Sequence, residues 1–301
     1  MKINNVLVIG AGVMGQQVGL YYSMYGFNVT MFDISEEALS ACKIQQQKYL
    51  PSLQASRPHL TDEDMELGLS RISYSSDLEQ CAGSIDLVTE SAPEVLEIKL
   101  QVYADLNRFC PEHTIFTTNT STMMPSQIAE KTGRPERFLA LHYGNTVWDC
   151  YIGEVMGHPG TDKDIFETVC NFVETSGLVP IRLEQEQPGY IINSLLIPWL
   201  LSGLSLVVNG ISTPEDVDKT WMLSTHMDQG PLGVMDQVGF EVACNIYRMM
   251  LSAEPGNEQH KKNLDYLQTN FLDKGHTGRL SGQGFYSYPN PEFERPDFLG
   301  K

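Results

Sequence analysis

The chain has 301 residues, 42% of them apolar, which is enough for two domains with a substantial core. Its 20 Lys and Arg against 38 Asp and Glu give a net charge of −18, which argues against a protein that binds nucleic acid or an anionic membrane. The six cysteines form no C-x-x-C pair and no metal-ligand spacing, and no basic signal segment opens the chain. We therefore expect free thiols, no metal site and a cytoplasmic protein.

A glycine-rich turn follows the first predicted strand, Val6–Ile9. Gly10, Gly12 and Gly15 have the G-x-G-x-x-G spacing, and a helical pattern follows them. Gly10 permits the tight turn, Gly12 lets a pyrophosphate approach the backbone, and Gly15 allows helix and strand to pack closely. This context predicts a dinucleotide site rather than a glycine-rich turn without a nucleotide. A pyrophosphate is expected on the free N–H groups of the first turn of the helix that follows the glycines, at Val13 and Met14.

The residue that selects the nucleotide follows the second predicted strand, Asn28–Phe32. Asp33, about 20 residues further on, can accept hydrogen bonds from the ribose hydroxyls and would repel a 2′-phosphate. The next residue, Ile34, is not basic, so the sequence predicts NAD(H) rather than NADP(H).

Strands and helices alternate along the next 150 or so residues. Further strands are predicted at 71–74, 84–89, 114–118, 138–143, 151–156 and 178–183, and helices at 35–54, 93–109 and 162–176, with a capping box at 61–64 that opens a short helix. This alternation is typical of an α/β fold with a Rossmann-type, doubly wound parallel sheet.

The composition changes at the polar segment 184–189, EQEQPG. We place the domain boundary there, with a first domain of residues 1–186 and a C-terminal all-helical domain of residues 187–301. The apolar run 189–208 is long enough to span a bilayer. However, Asn193, Pro198 and the lack of flanking Lys or Arg favour a buried helix in a domain core or subunit interface.

Polar residues follow two strands of the predicted sheet. Asn119 and Ser121 come after one strand and His142 ends the next, so the three are expected at one sheet edge. A hairpin could bring Glu154, on the following strand, beside His142. A carboxylate on one imidazole nitrogen fixes the tautomer and leaves the other nitrogen as a base, which the oxidation of a hydroxyl to a ketone needs. Spacing alone leaves open a structural histidine.

The motifs together resemble those of short-chain L-3-hydroxyacyl-CoA dehydrogenases, of the 3-hydroxybutyryl-CoA dehydrogenase type, over nearly the whole chain. Besides the glycines and Asp33, the family pattern is matched by Glu90-Ser91-Ala92 with Glu94, Asn119-Thr120-Ser121-Thr122, His142 and Glu154 twelve residues apart, residues 188–193 (the family's P-G-F-[IV]-x-N-R), Gly230-Pro231 with Asp236 and Gly239, and Gly282-Gln283-Gly284-Phe285-Tyr286.

The resemblance implies roles for the site residues. His142 would be the general base in oxidation and the acid in reduction, oriented by Glu154. Ser121 and Asn193 would hydrogen-bond the reacting oxygens, and Asn145 would help to hold the substrate. It also implies an oxidoreductase of fatty acid metabolism that uses NAD and forms a homodimer through the helical domain. Further cofactor contacts would come from Glu90, Ala92, Lys99 and Asn119.

Two departures from the family pattern bear on the substrate. The family's H-F-F-N-P is replaced by residues 142–146, HYGNT, and we expect Trp148 to fill the space left by the missing aromatic residue. The helix expected to meet CoA phosphates offers only Lys43, Lys48 and, beyond it, Arg57. Two alternatives therefore stand beside the acyl-CoA dehydrogenase. One is a dehydrogenase of a free 3-hydroxy acid, like gulonate or carnitine dehydrogenase; the other is a non-catalytic NAD(H)-binding protein.

Overall fold

The computed structural model of the protein describes residues 2–300. The chain forms two compact units, the first ending at Ile192 and the second beginning at Asn193. This division falls inside a continuous helix that starts at Tyr190, whereas the change in composition places the predicted boundary just before that helix, at residues 186 and 187.

The first unit is built on an eight-stranded sheet with the order β3-β2-β1-β4-β5-β6-β7-β8. The strands are β1 (Asn5–Ile9), β2 (Asn28–Phe32), β3 (Ile72–Ser75), β4 (Leu87–Glu90), β5 (Ile115–Thr118), β6 (Phe138–Tyr143), β7 (Ile152–Met156) and β8 (Val179–Leu183). The predicted Rossmann-type α/β sheet is confirmed, because β3 to β6 follow the doubly wound order and pair in parallel.

One pair of strands is antiparallel within the otherwise parallel sheet, as the hairpin considered for His142 and Glu154 requires. Strands β6 and β7 are antiparallel, and their register places His142 directly opposite Glu154. The cause is the connection between them, because residues 144–151 are too few for the crossover that a parallel pair requires. Strand β8 then pairs in parallel with β7.

The helices of the first unit cover the sheet. They are α1 (Val13–Met24), α2 (Glu36–Ser56), α3 (Asp62–Ser70), α4 (Leu78–Cys81), α5 (Leu96–Phe109), α6 (Pro125–Ile128), α7 (Val147–Cys150) and α8 (Lys163–Thr175). The predicted capping box of α3 is confirmed, since Thr61 Oγ1 accepts from the Asp64 N–H and Asp64 Oδ2 accepts from the Thr61 N–H. The single-turn helices α4, α6 and α7 were not predicted, because four residues are too few to show helical periodicity.

The second unit is helical, as predicted. The long helix α9 (Tyr190–Val208) runs into it, and α10 (Pro214–Thr225), α11 (Pro231–Val238), α12 (Phe240–Ala253) and α13 (Glu258–Asn270) complete it. Its core includes Leu204, Leu232, Phe240 and Tyr247, all fully buried. Helix α10 begins with Thr213 as its N-cap and Pro214 at the first helical position, where the N–H that proline lacks is not needed.

Two buried aspartates connect the family motifs of the second unit. Asp236 accepts hydrogen bonds from the N–H groups of Phe285 and Tyr286, at 2.8 and 2.9 Å. Asp218 accepts from the Tyr286 hydroxyl at 3.0 Å and from the first turn of α11. Burial raises the pKa of Asp218, and it raises the pKa of Asp236 to about 7 in spite of these hydrogen bonds.

Helix α9 is apolar and long enough to cross a membrane. Only 22% of its apolar window is buried inside the protein. Leu200 and Leu204 pack into the core of the second unit. Leu195 is 70% exposed and Leu206 is 43% exposed, so α9 is not wholly buried in a domain core, and its burial in a subunit interface stays a prediction. Among residues 2–300, nothing covers this apolar face of α9.

Candidate active site

A histidine and a carboxylate form the centre of the site, at the carboxyl end of β6. Nδ1 of His142 lies 2.9 Å from Oε2 of Glu154, and Nε2 lies 3.0 Å from the hydroxyl oxygen of Ser121. His142 is only 4% exposed and Glu154 only 1%, so water screens their interaction little. The antiparallel register produces the pairing, because directly opposite side chains lie on the same face of the sheet.

The second oxygen of Glu154 is fixed by backbone donors. Oε1 accepts hydrogen bonds from the N–H groups of Ile191 and Ile192 at 2.8 and 2.9 Å. These belong to the first turn of α9, where N–H groups have no helical acceptor and the helix dipole favours negative charge. The carboxylate is therefore held in one orientation, with Oε2 directed at His142.

The direction of these hydrogen bonds determines the tautomer of His142. A carboxylate oxygen only accepts hydrogen bonds, so Nδ1 carries a proton and donates a hydrogen bond to Glu154. In the neutral ring Nε2 is then the acceptor, and the Ser121 hydroxyl can donate to it. The arrangement leaves a basic nitrogen at the sheet edge and a carboxylate that stabilises the imidazolium when Nε2 takes up a proton.

Glu94 fixes the loop that carries Ser121. Oε1 accepts from the Ser121 and Thr122 N–H groups at 3.1 Å each, and from the hydroxyls of Thr120 and Thr122. Burial raises the pKa of the Glu94 carboxyl, but these hydroxyl hydrogen bonds and the ammonium of Lys99 lower it by more, so its pKa lies below the ordinary value. Glu94 was predicted only as part of a motif; its contacts with the Ser121 loop come from the fold.

Tyr190 is a site residue that the sequence analysis missed. Its ring stacks on the His142 imidazole, with 4.3 Å between ring centroids and 10° between planes, and its hydroxyl donates to the Thr120 carbonyl at 2.8 Å. Its backbone is left-handed, with φ of 54°, and such strain is typical of functional sites. The available signal was the departure from the phenylalanine of the family motif, which adds the hydroxyl.

The turn after His142 is held by a second residue that was missed, Gln17 of α1. Gln17 is 4% exposed; its Oε1 accepts from the N–H of Thr146 at 2.8 Å, and its Nε2 donates to Asn145 Oδ1 at 3.0 Å. Asn145 is exposed at this edge. A glutamine in a largely apolar helix was the only sequence signal.

Cys150, and not Trp148, lies beside Gly144. A side chain at Gly144 would meet the Cys150 sulfur, whereas Trp148 is buried against α2, where its Nε1 donates to Ser52 at 3.0 Å. The expectation that Trp148 fills the space by the turn is therefore wrong, because the single-turn helix α7 directs its indole toward α2.

The glycine-rich turn fits a dinucleotide. Gly10 has φ of 96°, which favours glycine, and a side chain at Gly15 would collide with the Gly10 carbonyl oxygen. Gly12 is the N-cap of α1, and no side-chain hydrogen bond caps this helix. There is open space where a Cβ of residue 12 would lie. The first turn, which includes Val13 and Met14, has no acidic residue to compete with an anion.

The ribose and base ends of a dinucleotide also have a place. Asp33 Oδ2 accepts from the Ala11 N–H at 2.9 Å and Oδ1 from the Ser35 N–H at 3.0 Å, which fixes the carboxylate next to the glycine turn. A cleft of about 870 Å³ begins at the next residue, Ile34, which is 88% exposed. Its wall includes the apolar side chains of Leu78, Ile98 and Val102.

Two residues predicted at the cofactor are buried below the sheet edge. Lys99 Nζ lies 2.6 Å from Glu90 Oε1, and the side chains are 1% and 0% exposed. Glu90 also accepts from the Ala92 N–H at 2.7 Å, and the adjoining Ser91 carbonyl lies against Gly10. In this structure the pair supports the loop beside the glycine turn rather than facing a ligand.

The remaining predicted residues are placed differently. Asn119 uses its amide to join strand ends, with Oδ1 accepting from the Tyr143 N–H at 3.1 Å. Asn193 is the first residue of the second unit and is half-buried on α9. The structure therefore brings Ser121, His142 and Glu154 together in the first unit.

The basic residues near α2 are fewer than the sequence indicates. Lys43 and Lys48 are exposed on α2, but Arg57 is only 7% exposed. Its Nη2 donates to the Tyr21 hydroxyl at 2.8 Å, and its guanidinium lies 3.7 Å from the ring centroid of Tyr151. Arg57 is thus enclosed by aromatic side chains and is not free to meet a phosphate.

A Rossmann-type sheet with this glycine turn and a polar residue cluster at its carboxyl edge defines a class of protein, the NAD-dependent dehydrogenases. Residues 5–187 match the family model of the 3-hydroxyacyl-CoA dehydrogenase NAD-binding domain, and residues 189–288 match that of the 3-hydroxyacyl-CoA dehydrogenase C-terminal domain. The chain belongs to the 3-hydroxyacyl-CoA dehydrogenase family, and NAD is its cofactor, as predicted.

Individual relatives agree with this assignment. The mitochondrial hydroxyacyl-coenzyme A dehydrogenase of Rattus norvegicus is 31% identical over 95% of this chain and 91% of its own length. A probable 3-hydroxybutyryl-CoA dehydrogenase of Bacillus subtilis is 30% identical over 96% and 98%. A solved structure of a diketoreductase, with dicarbonyl compounds as its substrates, is 38% identical with a TM-score of 0.89 and covers 96% of this chain and all of that one.

Proposed function

We propose that the protein interconverts a 3-hydroxyacyl-CoA and a 3-ketoacyl-CoA, with His142 as the acid and base. The observation that carries the proposal is the buried His142–Glu154 pair, with Nε2 turned to Ser121 at the sheet edge. A buried histidine whose tautomer is fixed by a carboxylate has no evident use in a protein that only binds NAD(H). The pair therefore argues against the non-catalytic alternative.

In the oxidation, His142 Nε2 takes the proton of the substrate hydroxyl as the carbon loses a hydride. Bound NAD supplies the hydride acceptor in this direction and the donor in reverse. Glu154 stabilises the imidazolium that forms, and Ser121 hydrogen-bonds the substrate oxygen as it becomes a carbonyl. In reduction the same nitrogen returns its proton to the developing alkoxide. The same proposal includes substrate contacts from Asn145 and Asn193. It also includes NAD contacts from Gly10 to Gly15, Asp33 and Asn119.

A second candidate substrate is a small dicarbonyl or free 3-hydroxy acid without CoA. The specific observation in its favour is Arg57, whose charge is enclosed between Tyr21 and Tyr151 and so is lost to a CoA phosphate. The net charge of −18 also repels a polyanion at long range. The diketoreductase among the similar structures acts on dicarbonyl compounds, which shows that such substrates occur among relatives.

The test is NADH oxidation by the purified protein with acetoacetyl-CoA, free acetoacetate, 3-dehydrocarnitine and ethyl acetoacetate at equal concentrations. Turnover confined to the CoA ester supports the first candidate, and turnover confined to the others supports the second. His142→Ala is expected to abolish turnover while NADH binding, followed by fluorescence, persists. NADH binding without turnover of any of these by the parent protein would favour the non-catalytic alternative.

We also propose a homodimer formed through the second unit, in a reducing cytoplasm. The exposed apolar face of α9, with Leu195 and Leu206, supports a second copy of the chain as its partner. All six cysteines are free thiols, which fits a reducing compartment.

A further inference from the structure

Gln17 joins the helix that starts at the glycine turn to the turn that follows His142. Its Oε1 accepts from the N–H groups of Thr146 at 2.8 Å and Val147 at 3.3 Å, and its Nε2 donates to Asn145 Oδ1 at 3.0 Å. The side chain is 4% exposed, and these hydrogen bonds offset the free energy of burying its amide.

The hydrogen bonds determine the orientation of the side-chain amides of Gln17 and Asn145. Only an oxygen can accept from backbone N–H groups, so Oε1 of Gln17 faces Thr146 and Val147 and Nε2 faces Asn145. Asn145 must then turn Oδ1 toward Gln17. Its Nδ2, which has no hydrogen-bond partner among residues 2–300, remains as a donor at the exposed edge. A donor there suits a carbonyl or carboxylate oxygen of a substrate.

The turn requires an external support of this kind. Thr146 has φ of 58° and Tyr151 has φ of 58°, left-handed values that are unfavourable for side chains of these types. Thr146 is the N-cap of the single-turn helix α7 but makes no side-chain cap to it. The proline of the related motif has no N–H to donate and cannot adopt this φ. Thr146 and Gln17 are thus a matched pair.

We propose that Gln17 is a positioning residue for the substrate, because it orients Asn145 as a hydrogen-bond donor to a substrate oxygen. Gln17 does not itself touch the reacting atoms. It connects the turn that follows His142 to helix α1, at whose N-terminus we expect NAD to bind. The inference rests on the proposed function, since it requires a substrate at the His142 edge.

Gln17→Glu separates orientation from support. A glutamate oxygen still accepts from Thr146 and Val147, but the other cannot donate to Asn145, whose amide must then rotate and present Oδ1 outward. We expect the KM for the carbonyl substrate that the parent reduces to rise about tenfold, equivalent to about 1.4 kcal/mol. The KM for NADH should change by less than about twofold. Gln47→Glu, the same substitution on exposed helix α2, should change neither value.

Asn145→Ala provides the decisive comparison. If Gln17 acts through Asn145, Asn145→Ala alone and the Gln17→Glu, Asn145→Ala double variant should have the same KM. Additive effects in the double variant, or a KM for NADH that rises as much as that for the substrate, would overturn the positioning role. Turnover by the parent with an unchanged KM in Gln17→Glu also overturns it, whereas no turnover by the parent overturns the proposed function.

A measurement that needs no turnover tests the contact itself. In Gln17→Met the side chain keeps its length but loses its acceptor, so hydrogen exchange at the Thr146 and Val147 amides should accelerate at least tenfold relative to the parent and to Gln47→Glu. Unchanged exchange at both amides would show that Gln17 does not hold the turn, and the inference would fail even if the protein is an active dehydrogenase.

Discussion

At His142 the direction of each hydrogen bond decides what the residue can do. Glu154 is fixed by two backbone N–H groups and can only accept from Nδ1, so in the neutral ring Nε2 is the hydrogen-bond acceptor. The Tyr190 ring covers one face of the imidazole and limits its rotation. In the proposed mechanism, the imidazole is therefore oriented for proton transfer before any substrate binds.

Glu154→Gln should reverse this preparation. The glutamine oxygen can still accept from Ile191 and Ile192, but the amide nitrogen then donates to Nδ1, so the ring proton moves to Nε2. We expect kcat for NADH-dependent reduction and for oxidation to fall by about 10²- to 10⁴-fold. The thermal midpoint and the NADH affinity serve as controls and should change little; a variant with parental kcat contradicts the assigned role of the tautomer.

Sequence reasoning could place Ser121 and His142 at one edge, because the carboxyl ends of parallel strands meet there. It could not identify Gln17, because the glutamine and its partner Asn145 are separated by 128 positions and no periodicity links them. Tyr190 was likewise recognised only as one position of the motif at residues 188–193. The contacts that orient a site residue come from other elements and are known only once the chain is folded.

At the level of elements, the end of β4 is joined to α5 by a buried ion pair. Glu90 and Lys99 are fully enclosed, and each has further partners: Glu90 accepts from the Thr118 and Tyr103 hydroxyls, and Lys99 also contacts Glu94. Such a pair contributes little relative to an apolar pair of the same size, but it is costly to break.

Lys99→Met is expected to lower the free energy of unfolding by about 3–5 kcal/mol, because it leaves the Glu90 carboxylate buried without a cation. The Glu90→Gln, Lys99→Met double variant should recover a substantial part of the loss. Urea unfolding followed by circular dichroism measures both. A double variant no more stable than Lys99→Met would show that the uncompensated charge is not the cause.

Elements differed in how well the sequence predicted them. The start of α3 was predicted because Thr61 is a cap with a local signature. The helix α7 was not, because it depends on the eight residues 144–151, whose left-handed Thr146 and Tyr151 have no local signature. The antiparallel direction of β7 followed only from the hairpin considered for His142 and Glu154. For α9 the sequence left open a domain core or a subunit interface, since a largely apolar helix does not reveal which face the chain itself covers.

For the whole molecule, stability should depend on pH through Asp236. Its pKa is about 7 in the folded protein against an ordinary value near 4, so the folded state holds a proton that the unfolded chain has lost between those values. The contribution to stability is complete below about pH 4 and is lost as the pH rises through 7. We expect the second unit to lose about 2 kcal/mol between pH 5 and pH 8.

Scanning calorimetry across pH 5–8 measures this dependence. In Asp236→Asn the group no longer titrates, so the slope of the transition temperature against pH should become flatter than in the parent. A parent protein whose second unit becomes more stable toward pH 8 would contradict the sign of the effect.

The proposed dimer predicts a mass of twice the 33.7 kDa chain in light scattering. Leu195→Asp places a charge on the exposed apolar face of α9 and should raise the dissociation constant at least about tenfold, since a buried unpaired charge is unfavourable. Ile34→Asp, at an exposed apolar position in the first unit, is the matched control and should leave the mass unchanged. A monomeric parent at micromolar concentration would refute the dimer.

The register of β6 and β7 has a consequence for how this enzyme can change. His142 and Glu154 meet because their strands pair residue against residue, and not because twelve positions separate them in the chain. Residues can therefore be added or removed between Asn145 and Tyr151 while the proton-transfer pair stays in place, whereas a single insertion within β7 would turn Glu154 to the opposite face. On the proposed function, strand pairing fixes the reaction centre while the adjoining loop can vary, so we expect new substrates to be accommodated by changes in that one loop.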